Sequence, residues 1–312
     1  CFEILLPSKG VCNLVTLNVY NFLKDKKLAI EELKIAQRLN VRAAYRMSLV
    51  ELELNDWDVK NKEDKLIGSS LTGWQDMVNE INLSQQEQKD LLLELWETAF
   101  FAAEEISKEL NDKQPDLITT IKPEGTLSLL PGVSPGLHYS HSPYYIRRVR
   151  ISANDPLVKV CEELEYPIYP ETNEKWETCM TKVIEFPVKS AAKRTKYDIT
   201  AIEQLENYKM FMQYYVDHNA SITVTVKEYE WEEVEEWIWD NWECIIAISF
   251  LSLTDSFYEL MPYENITQEE YEERARNMRP FIPSLLNKYE TEESELDTGN
   301  LSDCEGGTCS IR

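Results

Sequence analysis

Apolar positions along the chain recur at two periods, and the segments alternate between them. Asn13–Asn18 alternates in the manner of a strand. A helix is predicted from about Ala29 to Leu54, with Ile30, Leu33, Ile35, Leu39 and Val41 as its apolar positions. The run from Lys65 to Trp74 is apolar and broken by Gly68 and Gly73, which reads as a strand and a tight loop. Ser84 then caps a long helix to about Leu110. Glu87 completes its capping box, and Leu91, Leu95, Ala99 and Ala103 fall four apart. Leu117–Ile121 is a short β-rich run, whereas 155–210 is the least informative stretch. Ser221–Val226 is β-branched and reads as a strand. Glu228–Trp242 follows as a helix with Trp231, Val234, Ile238 and Trp242 on one stripe, a core face rather than a stacking platform. Ile245–Leu251 is expected to be a buried strand, so this strand–helix–strand unit implies a right-handed parallel crossover. A last helix is expected over about Gln268–Met278, and no internal repeat is present. The expected class is therefore α/β.

Composition narrows the function. The chain has 312 residues, 43% of them hydrophobic, with 8 Trp and 16 Tyr, enough for a large core. No apolar run reaches the roughly 18 residues of a membrane span, and no signal-peptide pattern opens the chain. A net charge of −24 repels a phosphate backbone and argues against nucleic-acid binding, though not against a nucleotide held in a local site. Seven unevenly spaced cysteines do not form a secreted disulfide framework, and the expected compartment is the cytoplasm. The chain opens on Cys rather than Met. Either an arbitrary fragment or the C-terminal extein of a spliced protein is expected, since splicing leaves Cys, Ser or Thr after an intein.

Candidate chemistry lies at both ends. Cys1 and Glu3 share a face if the first residues are extended, and Cys12 follows just before an apolar run. A thiol beside a carboxylate suits removal of a hydrogen atom and a proton from neighbouring positions of one substrate. Two buried cysteines and a surface glutamate are the bland alternative. At the other end, Cys304 and Cys309 flank Gly306-Gly307 in a polar, acidic segment that is expected to be flexible and suited to thiol–disulfide exchange. No metal site is expected there, because no further Cys or His completes a tetrahedron. In Lys122–Leu130, Pro123, Glu124, Gly125, Thr126, Leu127 and Ser128 could form an anion loop, if a helix N-terminus follows to aim N–H groups at a phosphate. Alone, that Pro-x-Gly pattern is more often a plain turn. His138 and His141 lack a third ligand and read as loop hydrogen-bonders. Arg147, Arg148 and Arg150 either hold phosphates or, the reading favoured here, pair with acids along a strand. Cys161 and Cys179 read as structural.

Together, Cys1-x-Glu3, Cys12 eleven residues after Cys1 and the Cys304-Glu-Gly-Gly-Thr-Cys309 tail resemble ribonucleotide reductases. The adenosylcobalamin-dependent (class II) ribonucleoside-triphosphate reductases are the nearest pattern. The stretch Pro131–Arg150 is the most specific internal match, and Asp217-His218-Asn219 resembles the segment lining the family's barrel mouth. The resemblance implies the C-terminal half of a ten-stranded α/β barrel over 1–290, with a finger loop at 1–12 and a flexible dithiol tail at 291–312. By the same resemblance, adenosylcobalamin supplies a radical to Cys1, whose thiyl takes the ribose 3′-hydrogen while Glu3 acts as base on the 3′-hydroxyl. Cys12 and a partner thiol reduce C2′, and Cys304 and Cys309 then reduce the resulting disulfide and are reset by thioredoxin or a similar dithiol. Residues 123–128 would bind the substrate phosphate. The implied substrate is a ribonucleoside triphosphate, with no nucleic-acid or membrane partner. A tyrosine pair near the C-terminus, expected of the di-iron class, is absent, since only Tyr289 lies between Phe281 and Arg312. The glycyl-radical motif of the anaerobic class is absent too. The partner thiol of Cys12, the allosteric site and the Asn expected before Cys1 are not in this sequence, so a missing N-terminal half is implied and 1–312 alone is expected to be inactive. A rival reading is a non-catalytic acidic interaction protein with a redox-sensing dithiol.

Overall fold

The computed structural model describes residues 2–253 and 259–290. Residues 2–140 with 191–253 form one compact unit, and 141–190 with 259–290 form a second. In chain order, the first unit opens with strand β1 (Asn13–Asn18), a small hairpin β2 (Leu23–Lys24) and β3 (Lys27–Leu28), and helices α1 (Ile30–Met47) and α2 (Asn55–Asp64). Strand β4 (Ile67–Thr72) and helices α3 (Trp74–Ile81) and α4 (Gln85–Leu110) complete this stretch. The second unit contributes β5 (Tyr144–Ser152), α5 (Pro156–Glu163), β6 (Ile168–Pro170) and β7 (Thr181–Lys189). The chain returns to the first unit with α6 (Ala201–Tyr214), β8 (Thr223–Val226), α7 (Trp231–Asp240) and β9 (Ser249–Ser252). It ends in the second with β10 (Tyr263–Asn265), α8 (Gln268–Asn277) and α9 (Leu286–Tyr289).

The first unit is mixed α/β and built on parallel neighbours in chain order. β1 pairs with β4 in parallel, Asn13 opposite Ile67 through Asn18 opposite Thr72. Ser69 of β4 bridges in parallel to Thr119, Ile121 bridges in parallel to Ala220, and β8 pairs in parallel with β9. Helices intervene at each step, as a parallel connection requires. Every residue of β4 is buried. Its apolar Leu71 joins Trp74, Met77, Leu92, Leu95, Leu205, Tyr208, Phe211, Val224 and Val234 in one core, while Val41, Ala44, Ile67, Ala99, Ala102, Ala103 and Ile118 form a second cluster. The small side chains of α4 let α1 approach closely there. The capping box at Ser84 is present, with Glu87 reaching back to the Ser84 N–H.

Three boundaries differ from the sequence reading. The helix expected to run to Leu54 stops at Met47, and a separate helix begins at Asn55. The break has a cause: the buried Asn61 side chain donates to Ser48 O at 3.2 Å and accepts from Asn13 at 2.8 Å, so α2 is turned back to brace the start of β1. The segment expected as a buried strand at 245–251 pairs only from Ser249, and Ile246 and Leu251 are exposed. On α7 the buried positions are Val234 and Trp237, whereas Trp242 is exposed beyond the helix end.

The second unit is an antiparallel sheet in the order β10-β5-β7-β6. Two of its three candidate arginines, Arg148 and Arg150, pair with acids along the strand. Arg148 meets Glu185 at 2.6 Å and Glu264 at 2.5 Å, Arg150 meets Glu171 at 2.6 Å, and Arg147 stacks over the Tyr263 ring. Cys161 is packed in the core with Val160, Leu164, Tyr166 and Ile184, consistent with a structural thiol.

Gly136 has φ +55, and a Cβ there would collide with the backbone carbonyl of Lys122. Gly132 has φ +69 with open space around it. Gly136→Ala is therefore expected to cost roughly 2–4 kcal/mol from overpacking plus left-handed strain, and Gly132→Ala only about 1 kcal/mol from strain. Urea denaturation of the intact protein reads both, and equal midpoints for the two variants would contradict the close approach.

Candidate active site

The first residues are tied to the parallel array through their backbone. Phe2 O accepts from the Asn219 side-chain amide at 2.7 Å, and Glu3 O accepts from Thr120 Oγ1 at 2.8 Å and from Asn219 N at 3.2 Å. Ile4 is buried beside Gly68 of β4. Eight residues further on, Cys12 precedes β1, where it is half-buried and unpaired. Burial pushes the Cys12 thiol above its usual range, the Glu3 carboxylate raises it further, and a backbone hydrogen bond and the Lys122 ammonium partly offset the rise. The Glu3 carboxylate thus lies close enough for its charge to act on the Cys12 thiol. One oxygen of Glu3, Oε2, is buried and has no hydrogen-bond partner among the described residues.

The loop 122–130 lies beside them. Lys122 N donates to Ser70 Oγ of β4 at 2.8 Å. Glu124 is buried with φ +57, accepts from the Thr16 hydroxyl of β1, and leaves its Oε2 without a partner among the described residues. Lys122 Nζ stands 3.9 Å from the other Glu124 oxygen. Pro123 and Gly125 flank Glu124, Ser128 N donates to Glu124 O at 3.0 Å, and Thr126 precedes a single 3₁₀ turn, Leu127–Leu129. The expected helix N-terminus after this loop is thus replaced by one short turn, because Pro131 and Gly132 stop its propagation. An anion here would meet loop N–H groups, Thr126 and Lys122 rather than a helix dipole.

Behind the loop, the buried Asp76 of α3 accepts from Ser134 N at 2.6 Å, and Thr72 Oγ1 donates to Ser134 O at 3.0 Å while accepting from Gly136 N at 3.0 Å. Burial raises the Asp76 carboxyl to about 6, with hydrogen bonds from Ser134 opposing the rise. His138 is a loop hydrogen-bonder: Nδ1 meets Pro135 O at 3.1 Å and Nε2 accepts from Thr223 N at 2.9 Å. Burial lowers its pKa, which keeps the ring neutral. His141 belongs to the second unit, where its ring packs on Tyr145 and Tyr263.

Cys1, Cys304 and Cys309 lie outside the described residues. Of the remaining predicted site residues, Glu3 and Cys12 are coupled and Glu124 is joined to β1 through Thr16. Lys122, Thr16, Thr120, Tyr208 and Asp76 were not singled out from sequence; Asn219 was noted only as part of a mouth-lining segment. Several of their ties run to residues more than 50 positions away, Lys122 to Ser70, Thr16 to Glu124, Thr120 to Glu3 and Asp76 to Ser134, which no local pattern could reveal. A cavity of about 680 Å³ lined by Gln75, Asn79, Gln88, Tyr139, Arg194 and Asn207 holds none of the predicted site residues. Among the described residues no three His, Cys, Asp or Glu side chains group to hold a metal ion, and no helix is long and apolar enough to cross a membrane.

No protein-family model matches the chain. It is similar over its whole length to the adenosylcobalamin-dependent ribonucleoside-triphosphate reductase of Lactobacillus acidophilus, 28% identical over 343 aligned positions that cover 45% of that protein. The enzyme of that name from Euglena gracilis is 30% identical over 286 positions, covering 89% of this chain and 37% of its relative. The chain thus spans less than half the length of these relatives. A solved B12-dependent (class II) ribonucleotide reductase superposes with a TM-score of 0.77 at 21% identity, over 94% of this chain and 44% of that one, which establishes a shared fold. The alpha subunit of the Actinobacillus ureae class Id enzyme superposes less well, at 0.53. These comparisons lend no support to a non-catalytic interaction protein.

Two measurements follow. Glu3→Gln is expected to move the pH midpoint of Cys12 alkylation down, because it removes a charge that opposes the thiolate, and Lys122→Met to move it up. Mass-resolved iodoacetamide kinetics check this, and an unmoved midpoint in both would separate these groups. Asp76 keeps its proton to about 6 in the folded protein but, when unfolded, releases it near the ordinary 3.8. Between those values the folded state holds more protons, so its stability falls as pH rises. Asp76→Asn should flatten that part of a denaturation–pH profile.

Proposed function

We infer that the chain is part of an adenosylcobalamin-dependent ribonucleoside-triphosphate reductase and contributes the thiol-and-carboxylate side of its active site. The observation that carries this reading is the parallel array shared with a class II ribonucleotide reductase, with Glu3 and Cys12 near the loop 122–128 beside it. Five successive parallel segments, β1, β4, 119–121, 220–226 and β9, support half of a ten-stranded barrel. The outer edges of β1 and β9 would pair with strands of the N-terminal portion, since unpaired edges are unfavourable.

In this reading Cys1 is the radical thiol and takes the ribose 3′-hydrogen. Glu3 accepts the 3′-hydroxyl proton, and its partnerless buried oxygen suits a carboxylate that waits for a substrate hydroxyl. Cys12 and a partner thiol supply the two reducing equivalents: the 2′-hydroxyl leaves as water and the two sulfurs end as a disulfide. Burial and Glu3 both favour the protonated thiol of Cys12, the form that carries a transferable hydrogen. Cys304 and Cys309 then exchange with that disulfide and are reduced in turn by thioredoxin or a similar dithiol. Loop residues Pro123, Glu124, Gly125, Thr126, Leu127 and Ser128 border the substrate phosphates, with Lys122 as a nearby cation.

Adenosylcobalamin carries ligands for its own cobalt, so holding it asks no metal-binding cluster of the chain. When bound it supplies the radical. Cys1 would face it, and Glu3 and Cys12 would face the substrate.

The test is deoxyribonucleotide formation from ribonucleoside triphosphates by the complete polypeptide with adenosylcobalamin and a dithiol. Glu3→Gln and Cys12→Ser are each expected to lower kcat by at least about 10²-fold with the fold intact. Residues 1–312 alone are expected to give no product. Wild-type turnover in either variant, or product from 1–312 alone, would overturn the reading.

A further inference from the structure

The carboxylate of Glu3 can act only if the main chain beneath it is held still, and one buried side chain does much of that holding. Asn219 is 1% exposed, and its amide nitrogen donates to Phe2 O at 2.7 Å and to Ala247 O at 3.2 Å. Its amide oxygen accepts from the Tyr208 hydroxyl at 2.9 Å. Tyr208 is fully buried on α6, and its oxygen in turn accepts from Ile246 N at 3.2 Å.

These partners fix which way the carboxamide faces. Phe2 O and Ala247 O can only accept, so the nitrogen must point at them. The Ile246 N–H occupies a lone pair of the Tyr208 oxygen, which directs the phenolic proton at the Asn219 oxygen. The Asn219 backbone adds two further ties, its N–H to Glu3 O at 3.2 Å and its carbonyl, 2.7 Å from Thr120 Oγ1, sharing that hydroxyl's single proton with Glu3 O. Thr120 Oγ1 also reaches Glu3 O, at 2.8 Å. The carbonyls of Phe2 and Glu3 are thereby clamped to two neighbouring parallel segments at once.

We propose that Asn219, oriented by Tyr208, is a positioning residue that fixes the Phe2–Glu3 backbone on the array and so sets where the Glu3 carboxylate stands relative to Cys12. This rests on the reductase reading only for its catalytic consequence. The geometric claim stands by itself, because the influence of Glu3 on Cys12 can be read without turnover.

The experiment uses the complete polypeptide with three variants, Asn219→Ala, Tyr208→Phe and Glu3→Gln. Two quantities are followed: the pH midpoint of Cys12 alkylation by iodoacetamide, and kcat and KM for ribonucleoside-triphosphate reduction. Asn219→Ala is expected to move the Cys12 midpoint down toward that of Glu3→Gln and to lower kcat at least about tenfold with KM within about twofold, as small misplacements of a reacting group do. Tyr208→Phe keeps the core volume and removes only the orienting hydroxyl. It should shift both quantities in that direction by a smaller amount, and it decides the matter if Asn219→Ala fails to fold. A Cys12 midpoint unchanged in the folded variants, whatever happens to kcat, overturns the proposal. If Glu3→Gln moves the Cys12 midpoint but turns over like wild type, the reductase role of Glu3 fails while the positioning by Asn219 is still judged on the midpoint.

Discussion

A buried carboxamide joins segments of the chain that are 217 residues apart, and the candidate site hangs on that joint. Asn219 lies where the fourth parallel segment begins, and Thr120 lies on the third. Between them they receive the carbonyls of Phe2 and Glu3, which have no strand partner of their own. The bonds from Asn219 and Thr120 satisfy these carbonyls and fix their place on the array.

The array is prepared for polar visitors. Ser69, Ser70, Thr119 and Thr120 are all fully buried, where a parallel sheet would ordinarily carry branched apolar side chains. Each hydroxyl is matched. Ser69 is tied to Asn40 at 2.7 Å, Ser70 receives Lys122 N at 2.8 Å, and Thr119 donates to Tyr215 O at 2.5 Å. Asp217 accepts from Ile118 N, Thr119 N and the Trp96 indole, which anchors the third segment at its start. Among the described residues, Glu3 and Glu124 each keep one buried oxygen without a partner, which suits the proposed donor from a bound molecule.

Local charge runs against the global balance. The chain carries −24 overall, whereas the proposed nucleotide substrate would be strongly anionic. Lys122 is the cation at the loop, near Glu124 and Cys12. Of the β5 arginines that were candidates for phosphate, Arg148 and Arg150 are instead committed to Glu185, Glu264 and Glu171 within the second unit, and Arg147 lies over the Tyr263 ring. Burying a guanidinium demands such a partner.

Periodicity and caps made much of the secondary structure legible. The strand at Asn13, the Ser84-capped helix and the strand broken by Gly73 were readable because a period of two or of 3.6, a capping box and a glycine turn are local properties. The pairing of β8 with β9 was readable in its sense, because a helix between two strands leaves few alternatives. Cys1-x-Glu3, Cys12 and the C-terminal dithiol pointed to one chemistry through their resemblance to ribonucleotide reductases. The break after Met47, the single turn after Thr126 and the exposed end of the last parallel strand were decided by tertiary contacts: Asn61 bracing Asn13, Pro131 and Gly132 stopping the turn, and the absence of a covering element over Leu251 among the described residues. The clamp on Phe2 and Glu3 likewise belongs to the tertiary structure alone. Sequence determines which groups are present, but a hydrogen bond between residues 2 and 219 exists only once the intervening chain has closed the distance.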